Sequence, residues 1–176
     1  MALKVSVYIA TSLDGFIARK NGGLDWLPTP REGDENYGYA EFMSTVDNIV
    51  MGRNTFEKVL SFGNWPYEKK VVVLTSQNLT LPSELADKVE IASLPPRKLV
   101  QHLEQHGVRH IYLDGGLTIQ GFLREGLIHE MIITTIPILI GNGLPLFGQL
   151  AQDIKLELLE SKSFMSGLTQ NKYKVL

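Results

Sequence analysis

The sequence contains no cysteine, which excludes disulfides, zinc–thiolate centres and thiol nucleophiles together and fits a reducing, cytoplasmic setting. It also lacks an excess of charge of either sign. Lys and Arg number 17 against 19 Asp and Glu, for a net charge of −2, so no broad basic field is offered to nucleic acid and no polybasic patch to anionic lipid. Long apolar runs are missing too: the stretch after Met1 to Lys4 is too short for a signal sequence, and Ile132 to Ile140, the longest apolar region, is broken by Thr134, Thr135 and Pro137. The expectation is a mature cytoplasmic chain that neither crosses a membrane nor binds nucleic acid. Its ligand is therefore expected in a local site.

What is present is ordinary in amount. Apolar residues make up 44% and charged residues 20% of the 176 positions, near the averages of globular proteins, and a chain of this length buries roughly 70% of the surface its unfolded form exposes. No repeat, low-complexity tract or linker interrupts it, so residues 1–176 are read as a single domain.

Eight short apolar runs predict strands: Lys4 to Ala10, Asn48 to Met51, Lys70 to Leu74, Val89 to Ala92, Val108 to Asp114, Glu130 to Ile136, Ile154 to Ser163 and Leu168 to Leu176. Val71-Val72-Val73-Leu74 and Met131-Ile132-Ile133 are continuously apolar, as strands covered on both faces must be. Helices fall between them. The pattern predicts Glu35 to Thr45 with Asp34 as N-cap, Thr55 to Ser61 with Asn54 and Glu57 at capping-box spacing, Pro96 to His106 with Gly107 beyond it, and Leu117 to Glu125 closed by Gly126. The order predicts a three-layer α/β fold: a mostly parallel eight-stranded sheet, helices on both faces, and a C-terminal antiparallel hairpin turning near Met165 to Gly167. Two loops, Thr11 to Asp34 and Pro137 to Asp153, are long enough to suggest function.

Two strand-to-helix junctions carry chemistry. In Met51-Gly52-Arg53-Asn54-Thr55-Phe56-Glu57, Gly52 admits a ligand close to the backbone, the helix N-terminus offers free N–H groups, and Arg53 adds a positive fork with no evident carboxylate partner in its own motif. Tyr112-Leu113-Asp114-Gly115-Gly116-Leu117-Thr118-Ile119 places paired glycines at a second helix start, suited to a pyrophosphate. Either alone also reads as an ordinary tight turn. Together, at the carboxyl ends of strands in one parallel sheet, they point to a bound nucleotide. The Rossmann fingerprint and the P-loop are absent, since Gly141-Asn142-Gly143 has neither the spacing nor the preceding strand.

Val50-Met51-Gly52-Arg53-Asn54-Thr55-Phe56-Glu57 resembles the NADPH-gripping run of dihydrofolate reductases. Ile9-Ala10-Thr11-Ser12-Leu13-Asp14-Gly15-Phe16-Ile17-Ala18, the Gly115-Gly116 pair, and the segments Gly126 to Glu130 and Pro137 to Phe147 resemble the C-terminal reductase domain of the bifunctional deaminase-reductase of riboflavin synthesis. The resemblance spans about the whole chain. It implies a dihydrofolate-reductase-like fold, an NADPH cofactor, a flat aminopyrimidine or pterin-like substrate and a homodimer. Carried over by position, it implies that Ala10 and Ile17 border the nicotinamide, that Gly52, Arg53, Asn54 and Thr55 take phosphates with Arg53 at the 2′-phosphate, and that Leu74, Thr75 and Ser76 flank the adenosine. Gly115, Gly116, Leu117, Thr118 and Ile119 would cradle the pyrophosphate; Asp14 and Asp114 would be the acidic catalytic groups; and Trp26, Glu35 and Tyr39 would meet substrate.

The chain also departs from both patterns. Dihydrofolate reductases carry a carboxylate on the first helix, but near Gly38 only Glu35 and Glu41 are close. The riboflavin enzyme has a lysine on its first strand and arginines on its first helix, whereas here Tyr8 stands on the strand and no Arg or Lys lies between Glu32 and Gly52. A ribosylaminopyrimidine and dihydrofolate thus stand as first and second substrate expectations. A non-catalytic NADPH sensor and an interaction module using the C-terminal hairpin are the alternatives from other classes. His102, His106 and His110 are expected to cap or face solvent near a helix end, no metal is expected, and Trp65 and Tyr67 are expected to cover the sheet edge.

Overall fold

The computed structural model describes residues 2–28 and 37–176. β1 (Lys4–Ser12) leads through a short β2 (Phe16–Ala18) to α1 (Tyr39–Ser44), and β3 (Asn48–Gly52) runs directly into α2 (Arg53–Leu60). β4 (Lys70–Leu74) and β5 (Val89–Ala92) precede α3 (Pro96–Gln105); β6 (His110–Asp114) is followed at once by α4 (Gly116–Arg124). β7 (Glu130–Ile136), β8 (Leu144–Pro145) and the hairpin β9 (Leu156–Ser163) and β10 (Thr169–Val175) complete the chain.

Eight strands form one sheet in the order β5-β4-β3-β6-β1-β7-β10-β9. Neighbours from β5 to β7 are parallel, and β10 is antiparallel to both β7 and β9. The continuous apolar strands follow from cover on both sides. Val7, Val50 and Leu113 pack with Leu99 and Leu103 of α3 and Phe122 of α4, while their neighbours Ile49, Met51 and Tyr112 pack with Phe42 of α1 and Phe56 of α2. The fold is the α/β arrangement that the strand and helix order predicts.

Several boundaries differ from expectation. Asp34 and Glu35 lie outside the described residues, and the first helix begins only at Tyr39, because Gly38 sits at φ +83° and cannot continue a helical turn. The second helix starts at Arg53 with Gly52 as N-cap and no side-chain cap. Asn54 is therefore inside the helix, and Glu57 bonds Arg53 instead of closing a capping box. His110 is not at a helix end but buried on β6, where its ring nitrogens meet Ser6 Oγ at 2.8 Å and the Thr45 carbonyl at 2.9 Å.

The two long loops are tied together. β2 and β8 pair antiparallel, Leu146 N–H donates to the Gly15 carbonyl at 3.1 Å, and the Asp14 carboxylate accepts from Ile140 N–H at 3.3 Å and Gly141 N–H at 2.8 Å. At the other end, β10 does not form the edge of the sheet. It is enclosed between β7 and β9, and the open edge is β9, whose Leu156, Leu158 and Leu159 are exposed.

Candidate functional site

β3 and β6 lie side by side with Met51 opposite Asp114, so α2 and α4 begin next to each other at the carboxyl edge of the sheet. Each comes from a different face, and each glycine leaves room for the other helix. A Cβ on Gly52 would lie 2.8 Å from Thr118 Oγ1, and one on Gly115 would fall on Thr55 Oγ1. Gly115 also adopts φ +94°, ψ +132°, a conformation that only glycine takes without strain. Neither helix has a side-chain cap, which leaves two sets of first-turn N–H groups converging on one point. Two such N-termini attract an anion through both their free donors and their dipoles.

The point of convergence opens into a cavity of about 930 Å³. Gly52, Arg53, Asn54, Thr55, Leu74, Thr75, Ser76, Gly115, Gly116, Leu117 and Thr118 all line it, as do Ala10 and Ile17. Ile119 does not. Its side chain is fully buried in the core with Phe122, because it lies one residue past the turn on the face that α4 turns to the sheet. Arg53 does have a carboxylate partner: Nε donates to Glu57 Oε1 at 2.6 Å and Nη1 to Gln77 Oε1 at 2.5 Å. That partner is one helical turn away, a spacing visible only once the helix is known to start at Arg53. The two contacts hold the guanidinium plane at the cavity wall, with Nη2 uncommitted among the described residues.

A model of the RibD C-terminal domain matches residues 3–169 of the chain. The chain belongs to the RibD C-terminal domain family. It is 37% identical over 168 residues to the uncharacterized protein YwjB of Bacillus subtilis strain 168, covering 93% of this chain and 94% of that protein. A crystal structure of a putative riboflavin biosynthesis protein from Shewanella sp. PV-4 superposes with a TM-score of 0.94 at 43% identity, over 99% of both chains. The diaminohydroxyphosphoribosylaminopyrimidine deaminase/5-amino-6-(5-phosphoribosylamino)uracil reductase of Thermotoga maritima superposes with a TM-score of 0.75 at 13% identity, over 99% of this chain and 57% of that one. The last likeness shows the fold. Family membership places the chain with oxidoreductases in general.

Within this RibD-type domain the remaining sequence candidates separate. Asp114 lines the cavity beside Gly115, whose N–H it accepts at 2.8 Å. Burial raises its pKa from 3.8 to about 6, and the Gly115 hydrogen bond offsets part of that rise. Asp14 does not line the cavity; its carboxylate faces the backbone of Ile140 and Gly141. The Ser12 hydroxyl and those two amides hold its pKa below the ordinary carboxylate value, so its proton is the harder of the two to place. Trp26 is buried with Ile136 and Leu168 in a separate small cluster. Tyr39, at the start of α1, packs edge-on against Tyr8 and Tyr112 without lining the cavity, and Asp114 and burial together push its pKa up to about 12.

Three aromatic residues complete the wall near Asp114: Tyr8, Tyr67 and Tyr112. Tyr67, expected to cover the sheet edge, also lines the cavity, and Trp65 packs on Phe56. Tyr8 and Tyr112 are on the same face of adjacent strands, a period-2 relation that the sequence contains, but the approach of Tyr67 depends on how the loop after α2 folds back.

Proposed function

We propose that the chain is an NADPH-dependent reductase that transfers hydride to a small, flat aminopyrimidine or pterin-like ring. The observation that carries this reading is the interlock of two uncapped helix N-termini, Gly52 under Thr118 and Gly115 under Thr55, at the base of a cavity large enough for a dinucleotide and a ring. Bare backbone and converging N–H groups fit a pyrophosphate, and Arg53 on the flank fits a phosphate monoester. Thr75 and Ser76, after β4, fit the adenosine end, and Ala10 and Ile17 fit the nicotinamide. When bound, the cofactor supplies the hydride. The chain's residues supply position, a dry aromatic wall and, in Asp114, a carboxyl whose raised pKa lets it hold a proton near neutrality.

Turnover separates this reading from an NADPH sensor. Absorbance at the reduced-nicotinamide band, followed across a panel of pterins and aminopyrimidines that includes dihydrofolate, should fall with at least one of them. A protein that binds NADPH and oxidises it with none is a sensor.

Arg53→Ala should weaken NADPH binding by about 10- to 100-fold, the loss of a charge-assisted hydrogen bond, while NADH binding changes by less than roughly threefold because NADH has no 2′-phosphate to lose. Calorimetric titration of both cofactors against both proteins measures this. Equal weakening of the two cofactors removes Arg53 from the 2′-phosphate.

We also propose that the chain pairs with a second copy through the open β9 edge, where Leu156, Leu158 and Leu159 are exposed. Sedimentation at micromolar concentration should show a dimer, and Leu158→Lys should convert it to monomer. A monomer in the unaltered protein rejects the proposal.

A further inference from the structure

Among the described residues, three side chains with formal charge line the 930 Å³ cavity: Arg53 and Lys58 on α2, and Asp114 at the end of β6. Both cations belong to the helix whose N-terminus meets the nucleotide on the reading above, and Lys58 lies over the Phe62 ring at 5.9 Å. The end of the cavity where Asp114 lies, beside the Gly115 junction, is different. Its walls are Tyr8, Tyr67, Tyr112, Leu24 and Leu27, with Asp114 among them.

The tyrosine hydroxyls there are largely committed elsewhere. Tyr112 donates to the Tyr8 carbonyl at 3.0 Å, and Tyr8 donates to the Tyr37 carbonyl at 2.6 Å while accepting from Gln170 Nε2 at 3.1 Å. These two residues therefore offer rings to a ligand, and the polar groups left are the Tyr67 hydroxyl and the Asp114 carboxylate. One of its oxygens is held by Gly115 N–H; the other has no hydrogen-bond partner among the described residues.

We infer that this end of the cavity takes an unphosphorylated amino-heterocycle, bound by N–H donation to Asp114 and by stacking between tyrosines. The inference rests on the nicotinamide-site reading and narrows its substrate. A carboxylate with a free oxygen between aromatic walls selects a flat ring that carries amino or ring N–H groups. The same carboxylate repels a phosphate, and no cation among the described residues at this end offsets that repulsion.

A neighbouring cavity gathers most of the nearby cations. A second hollow, of about 730 Å³, adjoins the first at Tyr8 and is lined by Lys4, Arg109, Lys162 and Lys172; Arg109 Nη1 donates to the carbonyls of Glu104 and Val108. Those lysines are already taken: Lys4 and Lys172 hold Glu130 at 3.2 and 3.3 Å, and Lys162 holds Glu160 at 3.0 Å. Between the two cavities Gln170 Nε2 lies within hydrogen-bond reach of Tyr8 Oη, the Tyr37 carbonyl and Thr134 Oγ1, which holds Tyr8 in place.

The test is equilibrium binding with NADP+ saturating, so that no reduction occurs. Two ligands are titrated by calorimetry: an aminopyrimidine with a neutral polyhydroxyl tail, and the same compound carrying a phosphate ester on that tail. The neutral compound should bind at least about tenfold tighter. Asp114→Asn should weaken it by about 10- to 100-fold, as for a lost hydrogen bond to a charged group, while NADP+ affinity stays within roughly threefold. Tighter binding of the phosphate ester overturns the inference, and so does an Asp114→Asn protein that binds the neutral ring as well as the unaltered one. Failure of NADP+ itself to bind overturns the nicotinamide reading instead, and the first titration reports it separately.

Discussion

Gly115→Ala is expected to cost about 2–6 kcal/mol of folding stability and to abolish measurable NADP+ binding. Two effects add. An alanine at φ +94°, ψ +132° is strained by about 1–3 kcal/mol, and its Cβ would fall on Thr55 Oγ1, an overpacking that typically costs about 1–3 kcal/mol more. The second effect also drives the N-termini of α2 and α4 apart, and with them the donors that converge on the anion. Gly52→Ala is the control. Gly52 has φ −80°, which any residue adopts, so alanine there meets only the Thr118 hydroxyl at 2.8 Å and should cost less than half as much. Urea unfolding of the three proteins gives the comparison, with NADP+ titration alongside. If the two substitutions are equally harmful, the conformation of Gly115 is not what the junction depends on.

Asp114→Asn is expected to do the opposite to stability. The folded protein raises this carboxyl from 3.8 to about 6 through burial, so the charged form is less favourable folded than unfolded. The sign follows from that. A carboxyl with a raised folded pKa contributes stability that is fully present below about pH 4 and is lost as pH rises through about 6. Asparagine does not titrate and can keep the bond from Gly115 N–H. At pH 8 the variant should be more stable by about 2–3 kcal/mol, or roughly 5–10 °C in melting temperature, and the gap should close as pH falls from 6 toward 4. The groups facing Asp114 in that range do not confuse the reading, because Tyr39, Tyr67 and Tyr112 all have pKa values raised above 10. Melting curves at pH 8 and pH 4.5 test it. A variant less stable than the parent at pH 8 would mean that Asp114 holds the fold together and is not held there at the fold's expense.

A buried carboxylate beside a glycine junction is a feature sequence reading reaches only in part. Asp114 was visible as an acidic residue at the end of a strand beside two glycines, and its junction was visible as a turn with an anion-binding shape. Tyr112, two residues earlier on the same strand, was legible beside it, but nothing in the local sequence shows that Tyr8 and Tyr67, from two other segments, help enclose it. Asp14 is the converse case. It stands on a loop after β1 in a stretch that resembles a substrate loop, yet its oxygens are occupied by amides 126 and 127 residues further along.

The sequence by itself determined the element order, the two-sided cover of the central strands and the two glycine junctions. Those features are local: continuous apolar runs, helical spacing and strand-to-helix turns are written within ten or so neighbouring residues. Tertiary structure decided the rest, because it depends on distant pairings. The β2–β8 ladder joins segments too short to show a period, β10 was enclosed only when the hairpin laid β9 outside it, and Arg53 gained Gln77 from the far side of β4. The convergence of α2 and α4 belongs to both: each glycine is a local signal, but a threonine on the other helix crowds each of them, and Gly115 is held besides in a backbone conformation that suits only glycine.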